Sequence, residues 1–135
     1  MRRKSTSRPR GSGRRRRLRR VALQVHDWSG GTDIGNCVRR FNEDWARQLL
    51  GRRTVALVIS DGWDRGDAAL LAREMHRLRS ACYKLIWLNP LLVDPAYEPL
   101  CKGMAAALPY VDYFLPFANL GSVQSLGKTL LRLRR

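Results

Sequence analysis

The stretch that decides the fold is Thr54-Val55-Ala56-Leu57-Val58-Ile59-Ser60, which is followed directly by Asp61 and Gly62. Its apolar residues show no polar alternation, and this pattern is typical of a central parallel strand buried on both faces. Further along, Asp67 stands where a side chain can cap a helix, and the apolar spacing predicts a helix from Ala68 to about Ala81. A buried strand, a short acidic loop and a helix in this order indicate an α/β protein.

The same alternation of elements continues on both sides of this stretch. Periodicity predicts helices at 36–50, 97–108 and 120–133, and strands at 83–88 and 111–115. Short connections between such elements call for right-handed parallel crossovers. We therefore expect a doubly wound, mainly parallel sheet of about three strands with flanking helices. A strand buried on both faces has few neighbours in so small a sheet, so we expect part of the fold to be missing.

Charge divides the chain into two parts. It has 135 residues and a net charge of +15, with 26 basic and 11 acidic residues. Eleven of the basic residues and none of the acidic ones lie in residues 1–20, which leaves the remainder at +4. The sequence predicts a disordered polybasic arm over 1–20, because it has few apolar residues, and a single domain over 21–135.

The composition also argues against a membrane protein. Apolar runs stay well short of the roughly 20 residues that a transmembrane helix needs. No apolar segment follows the Arg-rich start as it would in a secretory signal, so we expect a cytoplasmic protein. The arginines Arg14, Arg15, Arg16 and Arg17 are candidates for binding polyanions. Nucleic-acid binding through this arm is one alternative function, although no aromatic residue is interleaved there for base stacking.

The three cysteines, Cys37, Cys82 and Cys101, are odd in number and form no C-x-x-C pair. We expect reduced thiols. A zinc site would need all of them together with His26 or His76, brought from distant segments.

Two loops carry oxygen-bearing side chains that could form a site. Asp61 follows the first buried strand, and Thr32 lies in the glycine-rich loop 27–35. Loops after parallel strands converge at one edge of the sheet, and Mg²⁺ prefers oxygen ligands. The residues alone leave a second interpretation open, in which Asp61 caps the next helix and Thr32 closes a turn. A third is a phosphotransfer or hydrolytic enzyme that uses Asp61 as nucleophile with Asp64 as its acid partner.

Longer motifs point to a known family. They are Asp27-Trp28-Ser29-Gly30-Gly31-Thr32-Asp33-Ile34-Gly35, Phe41-Asn42, Trp45-Ala46-Arg47, 59–67, 71–75, 85–91, 97–100, 103–109 and 114–116. In this order they resemble the von Willebrand factor A proteins of the CoxE-like family, from about Val21 to Leu133. The resemblance implies a Rossmann-like von Willebrand A fold, truncated at its N-terminus.

The resemblance also implies a metal-ion-dependent adhesion site. Such sites combine an Asp-x-Ser-x-Ser loop, a threonine on a second loop and an aspartate on a third. Thr32 and Asp61 match the second and third elements, whereas the first has no match in this chain. The implied cofactor is Mg²⁺ or Mn²⁺, held weakly.

The implied function is a protein-interaction module and not an enzyme. The family is associated with MoxR-type AAA+ ATPases and with the maturation of a metalloenzyme, the molybdenum-containing carbon monoxide dehydrogenase. We expect partner contacts through the loops around the cation site. Their candidate residues are Ser29, Gly30, Gly31, Trp63 and Asp64.

Overall fold

The computed structural model describes residues 32–134, and these contain one parallel sheet of three strands. The strands are β1 (Val55–Ile59), β2 (Lys84–Asn89) and β3 (Tyr113–Pro116), in the spatial order β1-β2-β3. Leu57 lies opposite Ile86, and Trp87 lies opposite Phe114. The predicted α/β class with a parallel sheet flanked by helices is confirmed.

Five helices accompany the sheet in the described residues. They are α1 (Ile34–Asp44), α2 (Ala46–Leu49), α3 (Ala68–Ala81), α4 (Lys102–Ala107) and α5 (Leu120–Arg132), with 3-10 turns at Pro90–Val93 and Leu108–Tyr110. The predicted cap of α3 is present, because Asp67 accepts a hydrogen bond from the Ala69 amide at 2.9 Å. None of the helices in this part of the chain is long and apolar enough to cross a membrane.

The helices cover both faces of the sheet, as a doubly wound fold requires. On one face, Leu85 and Trp87 of β2 pack in a cluster with buried residues of α1, α3 and α4. On the other face, Ile86 and Leu88 pack with Leu126 of α5. The alternation of side chains along β2 therefore supplies two apolar layers.

The prediction that β1 is a central strand buried on both faces is wrong. β2 is the central strand of the described sheet and is buried from Leu85 to Asn89. β1 lies at an edge, and Leu57 and Ile59 are 44% and 58% exposed. An unbroken apolar run shows that neither face of the strand carries a charged side chain, but it does not show which other strands pair with it.

Two predicted helices differ in extent from the structure. The helix predicted from residue 97 begins at Lys102. Pro99 disfavours helical backbone at Glu98, so the helix does not extend back to Tyr97. The helix predicted over 36–50 is interrupted at Trp45, which has a non-helical φ of −129°. The arm, the residues Arg14 to Arg17, and the loop residues Ser29, Gly30 and Gly31 lie outside the described residues.

A buried carboxylate ties α1 to α3. Glu74 is 5% exposed and accepts hydrogen bonds from Asn42 Nδ2 at 2.9 Å and from Arg77 at 3.0 Å. Burial raises the pKa of Glu74, but the hydrogen bonds from Asn42 and Arg77 and the nearby positive charges outweigh burial and leave the pKa lowered. The ionised form of Glu74 is therefore the form that stabilises this contact.

We expect the Glu74 carboxylate to make the free energy of unfolding depend on pH in the acidic range. Because the pKa is lowered on folding, its contribution is fully present above the unfolded-state value of about 4.3 and is lost as pH falls through the lower folded-state value. Urea denaturation of wild type and of Glu74→Gln measures this contribution to the free energy of unfolding. The measurements run from about pH 6 to about pH 3, because this range spans the unfolded-state pKa of about 4.3. The stability difference between the two proteins should shrink as pH falls, and a constant difference would contradict the assignment.

Candidate interaction site at the carboxyl ends of the strands

Two loops meet where β1 ends, as the sequence predicts. The Arg65 amide donates to the Thr32 carbonyl oxygen at 3.0 Å. Asp64 Oδ1 accepts from the Ile34 amide at 2.9 Å and from the Gly66 amide at 3.0 Å. Asp64 therefore joins its own loop to the start of α1, and its second oxygen is buried without a hydrogen-bond partner in the described residues.

Asp61 shapes the loop and does not cap α3. Its Oδ1 accepts from the Trp63 amide at 2.9 Å, which closes a tight turn. Its backbone carbonyl accepts from Asn89 Nδ2 at 3.4 Å. The interpretation of Asp61 as a helix cap is wrong, since Asp67 occupies the N-cap of α3.

The loop packs closely against α4 through two glycines. Gly62 has a φ of +81°, a conformation that favours glycine, and a Cβ there would lie 2.3 Å from Met104 Sδ. A Cβ on Gly103 would lie 2.1 Å from the Gly62 carbonyl oxygen. The loop after β1 and the start of α4 therefore approach each other at backbone distance.

Three residues of this region were not predicted from the sequence. Asn89 is fully buried, and its Nδ2 also donates to the Tyr97 hydroxyl at 3.0 Å. Cys101 Sγ donates to the Gly62 carbonyl at 3.4 Å, and Lys102 Nζ donates to the Gly66 carbonyl at 2.8 Å. The signal available for Asn89 was an amide side chain at the end of an otherwise apolar strand.

The ordered loop leaves one large aromatic side chain in solvent. Trp63 is 70% exposed, although its amide is held by Asp61. Tryptophan is enriched at protein interfaces, because it combines a large apolar surface with a polar N–H group. The arrangement places an apolar anchor on a backbone that is fixed from both sides.

Both side chains that the resemblance implies as cation ligands, Thr32 and Asp61, lie among the described residues. Thr32 and Asp61 lie on adjoining loops and carry oxygen donors of the type that Mg²⁺ prefers. One Asp61 oxygen is already engaged by the Trp63 amide. Within residues 32–134 no group of three or more His, Cys, Asp or Glu residues could hold a metal ion.

The geometry around Asp64 does not favour the phosphotransfer alternative. In that alternative Asp61 would be the nucleophile and Asp64 its acid partner. Asp64 Oδ1 is occupied by two backbone amides, and Lys102 Nζ donates to the Gly66 carbonyl. These groups hold the loop in place.

The cysteines are all free, as predicted. Cys37 is exposed, Cys101 is half-buried beside the loop, and Cys82 is buried. Burial raises the pKa of the Cys82 thiol, so this thiol is protonated and unreactive at neutral pH.

Comparison with known proteins identifies the family. The model of the family described as VWA domain containing CoxE-like protein matches residues 5–123. The match begins and ends earlier in the chain than the resemblance described above, which extends from about Val21 to Leu133. Neither the curated proteins nor the solved structures gave a match. Domains of this family have a protein-interaction role and are generally non-enzymatic. The family model matches most of the chain, and the parallel sheet with its converging loops agrees with it. The chain therefore belongs to the family of VWA domain containing CoxE-like proteins.

Proposed function

We propose that this chain binds a partner protein through the loop face formed by Thr32, Asp61 and Trp63. The observation that carries the proposal is the exposure of Trp63, 70%, on a loop whose backbone is fixed by hydrogen bonds to neighbouring elements. A fixed loop loses little conformational entropy on binding, so the apolar surface of Trp63 contributes more fully to affinity. In this proposal Asp64 is a positioning residue.

The partners we propose are those associated with the CoxE-like family. They are a MoxR-type AAA+ ATPase and a metalloenzyme client such as carbon monoxide dehydrogenase, in whose maturation the chain would act. Family membership supports this assignment. The division of roles is physically reasonable, because the ATPase supplies work and the loop face recognises the client.

In this proposal a divalent cation contributes to binding of the partner, but the chain alone supplies only some of its ligands. Mg²⁺ or Mn²⁺ at the loop face would take oxygen ligands from Thr32 and Asp61, and the other ligands would come from water and from a carboxylate of the partner. Binding of the cation by the chain alone would be weak. Partner binding would then depend on Mg²⁺ more strongly than the chain's own stability does.

Trp63→Ala tests the loop face directly. Loss of a tryptophan anchor typically weakens an interface by about 2 kcal/mol or more, which is roughly 30-fold in affinity. We expect such a loss of binding to the MoxR-type ATPase of the same cells, measured by biolayer interferometry with the full chain. The matched control is Leu131→Ala, because Leu131 is 64% exposed and lies near the end of α5, away from the carboxyl ends of the strands.

The control variants separate the parts of the proposal. Asp61→Ala should reduce the Mg²⁺-dependent component of binding, whereas Asp94→Ala, which removes a comparable turn-closing aspartate elsewhere, should not. Equal affinities for Trp63→Ala, Leu131→Ala and wild type would overturn the loop face as the contact surface. If binding is unchanged when Mg²⁺ is chelated, the cation has no part in it.

A further inference from the structure

The outer edge of β1 presents backbone groups that have no hydrogen-bond partner among residues 32–134. The Tyr83 amide donates to the Thr54 carbonyl at 2.8 Å, and the Ser60 amide donates to the Leu88 carbonyl at 3.1 Å. The backbone groups of Thr54 and Ser60 therefore point toward β2. Alternate residues of a strand direct their backbone groups to opposite edges. The backbone amide and carbonyl groups of Val55, Leu57 and Ile59 therefore point away from β2. Nothing in residues 32–134 forms a hydrogen bond with these groups.

An apolar groove runs along this edge. It has a volume of about 480 Å³ and lies between β1 and the helices α1 and α2. Val38 and Phe41 of α1 and Leu50 at the end of α2 form its wall. We call this space the edge groove. Its length is that of β1, and one side of it is a row of amide and carbonyl groups that have no hydrogen-bond partner in the described part of the chain.

The end of the edge groove nearest the start of β1 is basic. A neighbouring cavity of about 460 Å³ shares Val55 with the groove and is lined by Arg52, Arg53 and Arg134. None of these three arginines forms an ion pair with another described residue. Unpaired guanidinium groups beside an apolar floor suit a carboxylate ligand, because arginine binds carboxylates through two parallel hydrogen bonds.

We propose that the edge groove binds an extended segment of a partner protein, which is apolar along β1 and acidic at the end beside Arg52 and Arg53. The segment adds a fourth strand to the sheet through the outward backbone groups of Val55, Leu57 and Ile59. Alternate side chains of the segment enter the space under Phe41, and the others lie beside the exposed side chains of Leu57 and Ile59.

A single strand fits this groove better than a second copy of the chain. Two β1 edges paired antiparallel are related by a two-fold axis perpendicular to the sheet. That axis would bring the α1 helices of both copies to the same face beside the same edge, where α1 already forms the groove wall. The groove therefore has room for an isolated extended segment without its own covering helix.

Synthetic peptides test the proposal with the full chain. The probe is a fluorescent peptide in which two aspartates precede alternating valine and threonine residues, and a second probe carries the aspartates at the other end. The control probe has a proline at its central valine, which prevents strand pairing. Because the Arg-rich residues 1–20 attract any acidic peptide, only binding that the proline probe lacks counts as groove binding.

Two matched pairs of variants locate the binding. Leu57→Pro removes an outward amide and should weaken probe binding about tenfold, whereas Leu57→Thr keeps the amide and should bind within about twofold of wild type. Arg53→Glu should weaken binding of the acidic probe by about threefold or more, whereas Arg73→Glu on α3 should leave it unchanged. Trp63→Ala should also leave it unchanged, which separates this site from the loop face.

Hydrogen exchange of the wild-type chain gives a readout that needs no variant. Probe binding should slow exchange of the Leu57 and Ile59 amides and should protect the exposed Cys37, which lines the groove, from alkylation. Cys101, beside the loop face, should react as before. Unchanged exchange at Leu57 and Ile59, or equal binding of the proline probe, would overturn the proposal.

Discussion

Trp87→Ala is expected to lower the free energy of unfolding by about 3–5 kcal/mol, the range found when a large buried aromatic is truncated. Trp87 is fully buried in the middle strand and packs in the larger apolar cluster. Its Nε1 donates to the Ser60 carbonyl at 2.8 Å, which joins the ends of β1 and β2. The substitution therefore leaves both a cavity and an unpaired carbonyl at the base of the site.

Urea denaturation of the full chain measures this loss. Trp87→Phe fills most of the cavity but cannot donate to Ser60, so its loss should be smaller and should report mainly the hydrogen bond, about 1 kcal/mol. Trp63→Ala is the exposed counterpart and should change stability by no more than about 0.5 kcal/mol. If Trp87→Ala lost less than about 1 kcal/mol, the core around β2 would be less tightly packed than the structure indicates.

Gly103→Ala should destabilise the protein by about 1–3 kcal/mol or more, through overpacking. A Cβ at this position would lie 2.1 Å from the Gly62 carbonyl oxygen and 3.0 Å from Asp64 Cβ. The first of these atoms belongs to the backbone, so a rotamer change cannot relieve the contact. The loop or the first turn of α4 must move, and we expect binding through the loop face to weaken as well.

Gly127→Ala is the matched control for this prediction. Gly127 lies in α5, and nothing stands within 4 Å of the Cβ that the change would add. The same substitution should therefore stabilise the protein by about 0.5–1 kcal/mol through helix propensity. If both variants were stabilised equally, the close approach of the loop to α4 would be incorrect.

The order of elements was predictable from local patterns alone. The apolar runs of β1 and β2 and the spacing in α3 depend on neighbouring residues, and α3 begins and ends where predicted, at Ala68 and Ala81. The edge position of β1 was not predictable in this way, because it depends on which strands pair. The helical spacing over 97–108 obscured the signal of Pro99, which disfavours helical backbone at Glu98, and α4 begins only at Lys102.

The site was predictable in its location but not in its internal contacts. Parallel topology brings the loops of Thr32 and Asp61 to one edge of the sheet, and their residues do meet. The bonds that fix the loop join residues far apart in sequence, such as Asp64 with Ile34 and Cys101 with Gly62. A local sequence pattern cannot show contacts between residues that are so far apart in the sequence.

The attachment of the 61–66 loop to several elements has a mechanical consequence. Its backbone is bonded to Thr32 before α1, to the Lys102 side chain at the start of α4 and to the Asn89 side chain at the end of β2. The Asp64 side chain accepts from the first amide of α1. A pull on Trp63 is therefore shared among these anchors and cannot peel the loop away one bond at a time. We therefore expect the loop to open together with the elements that hold it and not by local unfolding of the loop alone.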